Sequence, residues 1–350
     1  MLPIIIENPL ITKANRKQSV SDYQESTWKA ELAAAFSSAG DLLGYLGLPL
    51  DHHRLANGDM MRQFPLRVTT AFASRMKKGD PDDPLLLQVL PLSDELLETV
   101  GYSADPVGDL QAIAVPGLLH KYQGRALLIV TGACAINCRY CFRREFPYSD
   151  GQLTRSRFAE ALAHIAQDAN IAEIILSGGD PLMLDDGRLT GLLEAIAAIP
   201  HVSRLRVHTR IPIVLPSRIT KDLPQILAGT RLKPVMVIHA NHSNEFDTEV
   251  SQALSALQNA GVALLNQSVL LKGVNDNVDA LSSLSVTLFE HGVLPYYLHL
   301  LDKANGTAHF DIPEKAALAL YEKLRRCLPG YLVPKLVREI VGAPYKVNLV

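Results

Sequence analysis

The stretch that decides the fold is Ala126-Leu-Leu-Ile-Val-Thr131, followed closely by Cys134-Ala-Ile-Asn-Cys138-Arg-Tyr-Cys141. The apolar run is typical of a buried strand. Three of the chain's four cysteines then fall on one loop. A CxxxCxxC triplet supplies three thiolates to a four-iron cluster and leaves the fourth iron without a protein ligand. The sequence therefore predicts a [4Fe–4S] cluster bound by Cys134, Cys138 and Cys141.

A structural zinc site is the main alternative for this triplet. Structural zinc sites have four protein ligands, commonly from two CxxC or CxxH pairs. The fourth cysteine, Cys327, stands alone in a helical pattern, so a second pair is missing, although histidines could complete a site. A disulfide framework is disfavoured because three clustered thiols cannot pair evenly and the first residues lack the pattern of an export signal. Cys327 is expected to be an ordinary buried thiol.

Composition limits the classes of protein to consider. The chain has 350 residues, 48% of them hydrophobic, enough for one large domain with an appended segment. A formal charge of −2 gives no general reason to expect nucleic acid or an anionic membrane as a partner. No apolar stretch approaches the ~20 residues that span a bilayer. Clustered thiols without an export pattern favour a cytoplasmic location, and the oligomeric state, a homo-oligomer included, is left open.

The pattern after Ala126 predicts an α/β fold, a partial (βα)6 barrel preceded by a helical extension. Predicted strands are Ala126–Thr131, Glu173–Ser177, Arg204–His208, Val235–His239, Val262–Val269 and Leu294–Leu300. Predicted helices are Arg155–Gln167, Gly187–Ala198, Asp222–Leu227, Thr248–Asn259, Val278–Glu290 and Glu314–Leu328. The chain then divides into an N-terminal helical extension (1–110), the barrel (111–340) and a C-terminal tail (341–350).

Polar side chains follow the predicted strands, where barrels of this type place their sites. The second strand ends in Ser177-Gly-Gly-Asp-Pro-Leu182, whose two glycines would let the backbone approach a ligand and leave amides free to bond it. Later strand ends carry Arg210, His239, Gln267 and Asp302. Each alone is more often a satisfied structural residue. Their convergence beside a metal loop favours a ligand site.

The tail holds Lys346 after a Gly/Pro turn. Considered alone, this lysine is expected to be a solvated residue of the tail. Its position after the sixth strand and helix offers a second interpretation. A flexible primary amine could return to the barrel mouth and form a Schiff base with an aldehyde cofactor.

Taken together, these residues resemble the lysine 2,3-aminomutase family of radical S-adenosylmethionine enzymes. The likeness extends from about Asp82 to Lys346 and rests on several motifs: the cysteine triplet followed by Phe-Arg-Arg, then SGGDPL, NHSNE, NQSVLLKGVND, PYYLHLLD and the late lysine. The His-Leu-Leu-Asp sequence and the short carboxyl end are most similar to the branch that makes (R)-β-lysine for elongation factor P.

The resemblance implies a radical S-adenosylmethionine barrel that acts on free L-lysine and takes electrons from an external one-electron reductant. It implies a functional link to elongation factor P and its lysyl-transferring ligase. In this interpretation S-adenosylmethionine binds to the open iron, and Lys346 carries pyridoxal 5′-phosphate. Arg143 would grip the substrate's α-carboxylate, while Asp302 and Glu339 would bind its distant ammonium.

Further cofactor contacts are predicted on weaker grounds. Tyr122 and Arg125 match family positions near pyridoxal phosphate, and Arg210 is a candidate phosphate contact on charge grounds. The residues expected near S-adenosylmethionine are Ser177, Gly178, Gly179, Asp180, His239 and Gln267.

The chain departs from the longer, clostridial type of aminomutase at two places. Glu339 stands where that type has Asp, and Gly-Ala-Pro-Tyr precedes Lys346 where that type has a glycine run. Because the Glu side chain is one methylene longer, substrate reach or stereochemistry could differ. The alternatives left open are an aminomutase making L-β-lysine for catabolism or secondary metabolism, a radical enzyme without pyridoxal phosphate, and a zinc-stabilised binding module.

Overall fold

The computed structural model describes residues 20–49, 55, 64–148 and 154–350. Within these ranges the chain forms a ten-stranded sheet whose spatial order follows chain order from β1 to β10. The strands are β1 (Ile113–Val115), β2 (Leu118–Tyr122), β3 (Arg125–Thr131), β4 (Glu173–Gly178), β5 (Arg204–Thr209), β6 (Lys233–His239), β7 (Ala263–Val269), β8 (Leu294–His299), β9 (Lys335–Arg338) and β10 (Val347–Asn348). Strands β3 to β9 run parallel, and β1, β2 and β10 pair antiparallel at the two edges.

Helices of the described ranges precede the sheet or connect its parallel strands. They are α1 (Val20–Ala33), α2 (Ala39–Leu46), α3 (Thr70–Ser74), α4 (Pro84–Leu87), α5 (Arg155–Gln167), α6 (Asp186–Ala197), α7 (Ile211–Val214), α8 (Leu223–Ala228), α9 (Thr248–Asn259), α10 (Val278–Glu290) and α11 (Glu314–Cys327). Within these ranges, every helix falls short of the length and apolarity that a membrane crossing requires.

Local chemistry explains where these elements begin and which way they face. Helices α5, α9 and α10 start after Thr154, Asp247 and Asn277, whose side chains accept the backbone N–H three residues on. All six residues of β4 are buried, as expected for a strand covered on both faces. In β5 and β7 buried residues alternate with more exposed ones, so one face packs under helices and the other lines the barrel interior.

The fold-class prediction is confirmed: β3 to β8 are the six predicted strands, and their connecting helices lie where the pattern placed them. The predicted strands do not include β9, which has four residues, follows Pro334 and ends at the charged Arg338. They also do not include β10, which pairs antiparallel with β9 so that Val347 lies opposite Arg338. The tail is therefore part of the sheet, and this pairing fixes Lys346 close to Glu339.

The predicted N-terminal extension shares its core with the barrel. Its described part buries side chains such as Leu42, Phe72 and Leu86 in the same hydrophobic cluster as strand residues of the sheet. Residues 1–19, 50–54 and 56–63 of that predicted segment lie outside the described residues. The prediction that Cys327 is buried is wrong: this cysteine is exposed at the end of α11, next to the basic Arg325-Arg326 of the last turn.

Candidate active site

One cavity of about 540 Å³ opens at the carboxyl ends of the parallel strands. All the residues that the sequence analysis singled out for the site line it. They are Cys134, Cys138, Cys141, Arg143, Asp302, Glu339, Lys346, Tyr122, Arg125, Arg210, Ser177, Gly178, Gly179, Asp180, His239 and Gln267. The cysteine loop and the tail lysine thus line the same cavity.

The cysteine loop is held by the N-terminal segment. Arg139, within the triplet, is fully buried and donates from Nε and Nη2 to Glu95 Oε1 and Oε2 at 2.8 and 2.6 Å. Arg144 Nη2 donates to the same carboxylate at 2.7 Å. The Arg139 amide also donates to Gln88 O at 2.9 Å. Because removing one partner of a buried ion pair costs about 3–5 kcal/mol, Glu95 fixes the loop strongly. The sequence analysis missed this residue.

The three thiols fit an iron–sulfur cluster. Burial and the neighbouring cysteines raise the pKa of Cys134 well above its ordinary value, and burial raises the pKa of Cys141 to about 11. Thiolates at such positions need a compensating positive charge, which bound iron supplies. In the described ranges, no three His, Cys, Asp or Glu side chains gather around a single metal position. The thiolates of a four-iron cluster each bind a different iron, so they need not converge on one metal position.

The sequence pattern predicts free amides at Gly178, the last residue of β4, and at Gly179 after it, but the structure contradicts this prediction. Gly179 N donates to Thr131 O at 2.7 Å, and Asp180 N donates to Ala133 O at 2.8 Å. A Cβ at Gly178 would collide with Thr131 O, and one at Gly179 would collide with Ala133 O. The glycines therefore let the loop after β4 lie directly against the start of the cysteine loop.

We expect Gly178→Ala to destabilise the fold by about 1–3 kcal/mol, because φ at Gly178 is +126° and the added Cβ meets backbone. Gly191→Ala is the matched control. Gly191 lies in α6 with no neighbour within 4 Å of an added Cβ, so alanine there should stabilise by roughly 0.5–1 kcal/mol. Denaturant unfolding of both variants measures the difference, and equal stability would contradict the packing described.

Asp180 joins the loops that follow β4 and β5. Its buried carboxylate accepts from Thr209 Oγ1 at 2.7 and 2.9 Å and from Arg210 N at 2.7 Å. Burial raises its pKa to about 6, against these hydrogen bonds. Both carboxylate oxygens are thus used within the protein, which gives Asp180 a structural task at the cavity wall.

The Arg210 guanidinium, predicted as a phosphate contact, is bonded to other residues of the protein. Its Nη1 donates to Cys138 Sγ at 2.8 Å, and its Nη2 donates to Gln88 Oε1 and Glu245 Oε2 at 2.7 and 3.0 Å. A phosphate would have to compete with Glu245 for this guanidinium. Arg210 thus lies at the cysteine wall, and the phosphate contact expected on charge grounds stays a prediction.

Lys346 and Glu339 form an ion pair on the opposite wall. Glu339 Oε2 accepts from Lys346 Nζ, while Oε1 accepts from Lys121 Nζ at 3.2 Å and from Tyr122 OH at 2.9 Å. Burial would raise the pKa of Glu339, but the two ammonium charges outweigh it and hold that pKa at about 2. Glu339 is therefore ionised throughout the neutral range.

Asp302 behaves differently from Glu339. Burial raises its pKa to about 7, only partly opposed by the Lys346 ammonium and reinforced by the Glu339 charge. Two carboxyls thus lie near one lysine with pKa values pushed apart. A second ammonium entering the cavity would favour the ionised form of Asp302.

Arg143 has a partner that the sequence analysis missed. Its Nε donates to Asp109 Oδ2 at 2.6 Å, and its Nη1 donates to Ser177 Oγ at 3.0 Å. The other oxygen of Asp109 pairs with Lys121 Nζ at 2.6 Å. Asp109 therefore couples Arg143 to the Lys121–Glu339–Lys346 group. A single acidic residue in an irregular segment gives no sequence signal for this role.

Two histidines leave buried nitrogens for a ligand. Among the described residues, His208 Nε2 and His299 Nε2 are buried without a hydrogen-bond partner. Burial lowers the pKa of both imidazoles well below the ordinary value, so both are neutral. Buried polar atoms are normally paired. Unpaired nitrogens beside Lys346, with Arg125 stacked 4.6 Å from the Tyr122 ring centroid, fit a polar aldehyde cofactor held by the lysine.

Comparisons with known proteins agree with this site. Residues 128–284 match the model of the radical SAM superfamily. The chain is 48% identical to the L-lysine 2,3-aminomutase of Escherichia coli (strain K12) over 92% of its length and 94% of that protein. It is 47% identical to the Haemophilus influenzae enzyme of the same name, over 92% of this chain and 95% of that protein. The chain belongs to the lysine 2,3-aminomutase family.

Membership in the lysine 2,3-aminomutase family makes the chain an isomerase of the radical S-adenosylmethionine type. A more distant member, the L-lysine 2,3-aminomutase of Clostridium subterminale, is 33% identical over 93% of this chain and 78% of that protein. The radical SAM match begins inside β3 and includes the whole cysteine loop. The family and the cavity therefore point to the same wall for the cluster.

Proposed function

We propose that this chain is a pyridoxal phosphate-dependent aminomutase that converts free L-α-lysine to (R)-β-lysine for the modification of elongation factor P. The observation that carries the proposal is the shared cavity. Cys134, Cys138 and Cys141 line one wall of the cavity, and the Lys346–Glu339 ion pair lines another part of it. A cluster site and a nucleophilic lysine in one cavity match a reaction that needs both.

The charges of the cavity suit a free lysine molecule. Arg143 offers its guanidinium to a carboxylate, and Asp302 and Glu339 offer two carboxyls to an ammonium. A buried site must answer both charged ends of lysine or leave one desolvated without a partner. Rejection of an amino acid that lacks the second ammonium follows, because the acids would then lose a partner.

The cofactors supply the difficult chemistry: the cluster with S-adenosylmethionine provides a hydrogen-abstracting radical, and pyridoxal phosphate provides the system through which nitrogen moves from Cα to Cβ. The chain's own residues bind and orient. Lys346 Nζ would hold the aldehyde cofactor, which would remove one of the two ammonium partners of Glu339 and leave Lys121 as the other. Glu339 and Asp302 are then available to a second ammonium, that of the substrate. Neutral His208 and His299 would donate or accept hydrogen bonds without adding charge.

The elongation factor P assignment rests on sequence. The chain matches 94% of the Escherichia coli relative's length and 78% of the Clostridium subterminale relative's. The Glu339 side chain, one methylene longer than Asp, supports a different reach toward the substrate ammonium. These features favour the (R) product and the link to elongation factor P and its ligase.

The pH dependence follows from Asp302. Below its pKa of about 7 the carboxyl is protonated and attracts an ammonium poorly. We therefore expect kcat/KM for L-lysine to fall about tenfold per pH unit below about pH 7, since this parameter reports the free enzyme. Asp302→Asn should have lower kcat/KM than the parent above about pH 7 and lose this limb. A parent profile that stays flat between about pH 6 and about pH 8.5 would contradict this assignment.

An anaerobic assay tests the proposal. The enzyme is incubated with L-lysine, S-adenosylmethionine, pyridoxal phosphate and a reductant, and the product is resolved by mass and on a chiral column. We expect (R)-β-lysine, formed only when all components are present and usable by elongation factor P and its ligase. The L-β-lysine enantiomer would support a catabolic or secondary-metabolic enzyme instead. Turnover without pyridoxal phosphate would overturn the cofactor assignment.

A further inference from the structure

The guanidinium of Arg210 makes direct contact with a cluster cysteine. We propose that Arg210 is a positioning residue that holds the Cys138 thiolate and raises the reduction potential of the cluster. The inference rests on the iron–sulfur cluster of the proposed function. Its first support is the 2.8 Å contact from Arg210 Nη1 to Cys138 Sγ, made by an arginine that is 6% exposed.

The guanidinium is locked in this orientation. Nη2 donates to Gln88 Oε1 at 2.7 Å and to Glu245 Oε2 at 3.0 Å, and both partners are fully buried. The Arg210 backbone amide donates to Asp180 Oδ2 at 2.7 Å. Turning the guanidinium away from the sulfur would leave a buried carboxylate unpaired, which is strongly unfavourable.

Glu245 is held just as firmly on its far side. Its Oε1 accepts from Asn241 N at 2.8 Å and from His242 N at 3.1 Å. The NHSNE motif therefore builds a carboxylate that faces Arg210. Three separated motifs of the sequence meet at this one residue: Asp180 accepts from its backbone amide, and Glu245 and Cys138 accept from its guanidinium. A role for Arg210 explains why they meet.

The surroundings of the contact are aromatic. The Arg210 guanidinium carbon lies 5.2 Å from the Phe72 ring centroid and 5.7 Å from that of Tyr140. Tyr140 is itself fixed by a 2.9 Å hydrogen bond between its hydroxyl and His239 Nε2. Because such walls exclude water, the charge of Arg210 is screened less at the sulfur than it would be at the surface.

The orientation of the ion pair determines its effect on the cluster. The positive guanidinium lies between Cys138 and Glu245, with Nη1 toward the sulfur and Nη2 toward the carboxylate. Reduction adds one electron, taken from the external reductant, to a cluster bound through that sulfur. A nearby cation and an N–H···S bond stabilise the reduced form more than the oxidised form. The contact therefore makes the cluster easier to reduce.

The test compares three variants as anaerobically reconstituted, full-length enzyme. Arg210→Gln removes the charge, and Arg210→Lys keeps the charge but cannot bridge Glu245 and Cys138 at once. Arg218→Lys is the matched control, since Arg218 is also fully buried but donates to Leu182 O and Leu184 O. Iron and sulfide are counted, and midpoint potentials are measured by EPR-monitored redox titration.

For Arg210→Gln we expect the ratio of reduced to oxidised cluster at a fixed potential to fall about tenfold, a midpoint about 59 mV more negative for a one-electron couple. Arg210→Lys should shift less in the same direction, and Arg218→Lys should match the parent. Loss of iron from a folded Arg210 variant, with iron kept in Arg218→Lys, also supports the holding role.

A parent midpoint in both iron-replete Arg210 variants would overturn the inference and leave the proposed function standing. If Arg210→Gln does not fold, Arg210→Lys decides in the same way. If the parent protein contains no iron and no acid-labile sulfide, whether as isolated or after reconstitution, both the inference and the proposed function are overturned.

Discussion

Lys346→Ala is expected to abolish aminomutase activity and covalent capture of pyridoxal phosphate. The side chain lines the cavity and pairs with Glu339 in a position fixed by the β9–β10 pairing. A tethered amine has an effective concentration on the order of 10⁵ M or more, so its loss should lower turnover by at least about 10³-fold. Borohydride reduction followed by peptide mass spectrometry measures the capture directly.

Lys315→Ala is the matched control for this experiment, because Lys315 is exposed on α11. It should keep full activity and full cofactor capture. The Lys346→Ala protein should still bind iron, since the cysteine wall does not depend on the tail. Persistent turnover in Lys346→Ala would favour the alternative of a radical enzyme without pyridoxal phosphate.

Single serine substitutions at the triplet have the second large effect. Replacing Cys134, Cys138 or Cys141 should each remove a thiolate of the cluster. We expect iron to fall from about four per chain toward zero, with loss of all turnover, because serine is a poor ligand for iron–sulfur clusters. Iron, zinc and acid-labile sulfide in anaerobically prepared protein are the measurements.

Cys327→Ser controls for the general effect of losing a cysteine. Cys327 is exposed at the end of α11, away from the cavity lining. The variant should keep parental iron and activity. Stoichiometric zinc without sulfide in the parent, lost on substitution within the triplet, would contradict the cluster and restore the zinc-stabilised binding module.

The sequence predicted those parts of the fold that local chemistry determines. Helices such as α5 and α10 begin after side chains that cap them, and strands such as β3 contain a continuous apolar run. The site lining was also predictable, because the carboxyl ends of parallel strands meet at one edge. Their apolar patterns and their order along the chain were sufficient.

Contacts between distant segments were not predictable in this way. Asp109 pairs with Arg143, and Glu95 pairs with Arg139, across 34 and 44 residues of chain. No periodicity or spacing marks either acid. The double glycine predicts amides free for a ligand, but Thr131 O and Ala133 O accept from the Gly179 and Asp180 amides, and this depends on how two segments pack.

Arg210 shows what charge alone leaves undetermined. Its positive charge suggests a phosphate contact, whereas the structure pairs it with Glu245 and Cys138. Glu245 lies after β6, and Cys138 lies in the cysteine loop. Only their three-dimensional meeting distinguishes a phosphate ligand from a neighbour of the cluster.

The proposed function requires that a cluster with one open iron and the Lys346 side chain lie in the same cavity. An anaerobic crystal structure of the enzyme with iron anomalous scattering and pyridoxal phosphate tests this directly. The account predicts four irons at Cys134, Cys138 and Cys141, the fourth iron without a side-chain ligand and facing the cavity, and cofactor density continuous with Lys346 Nζ. A protein side chain on the fourth iron, or an unmodified Lys346 turned out of the cavity, would contradict it.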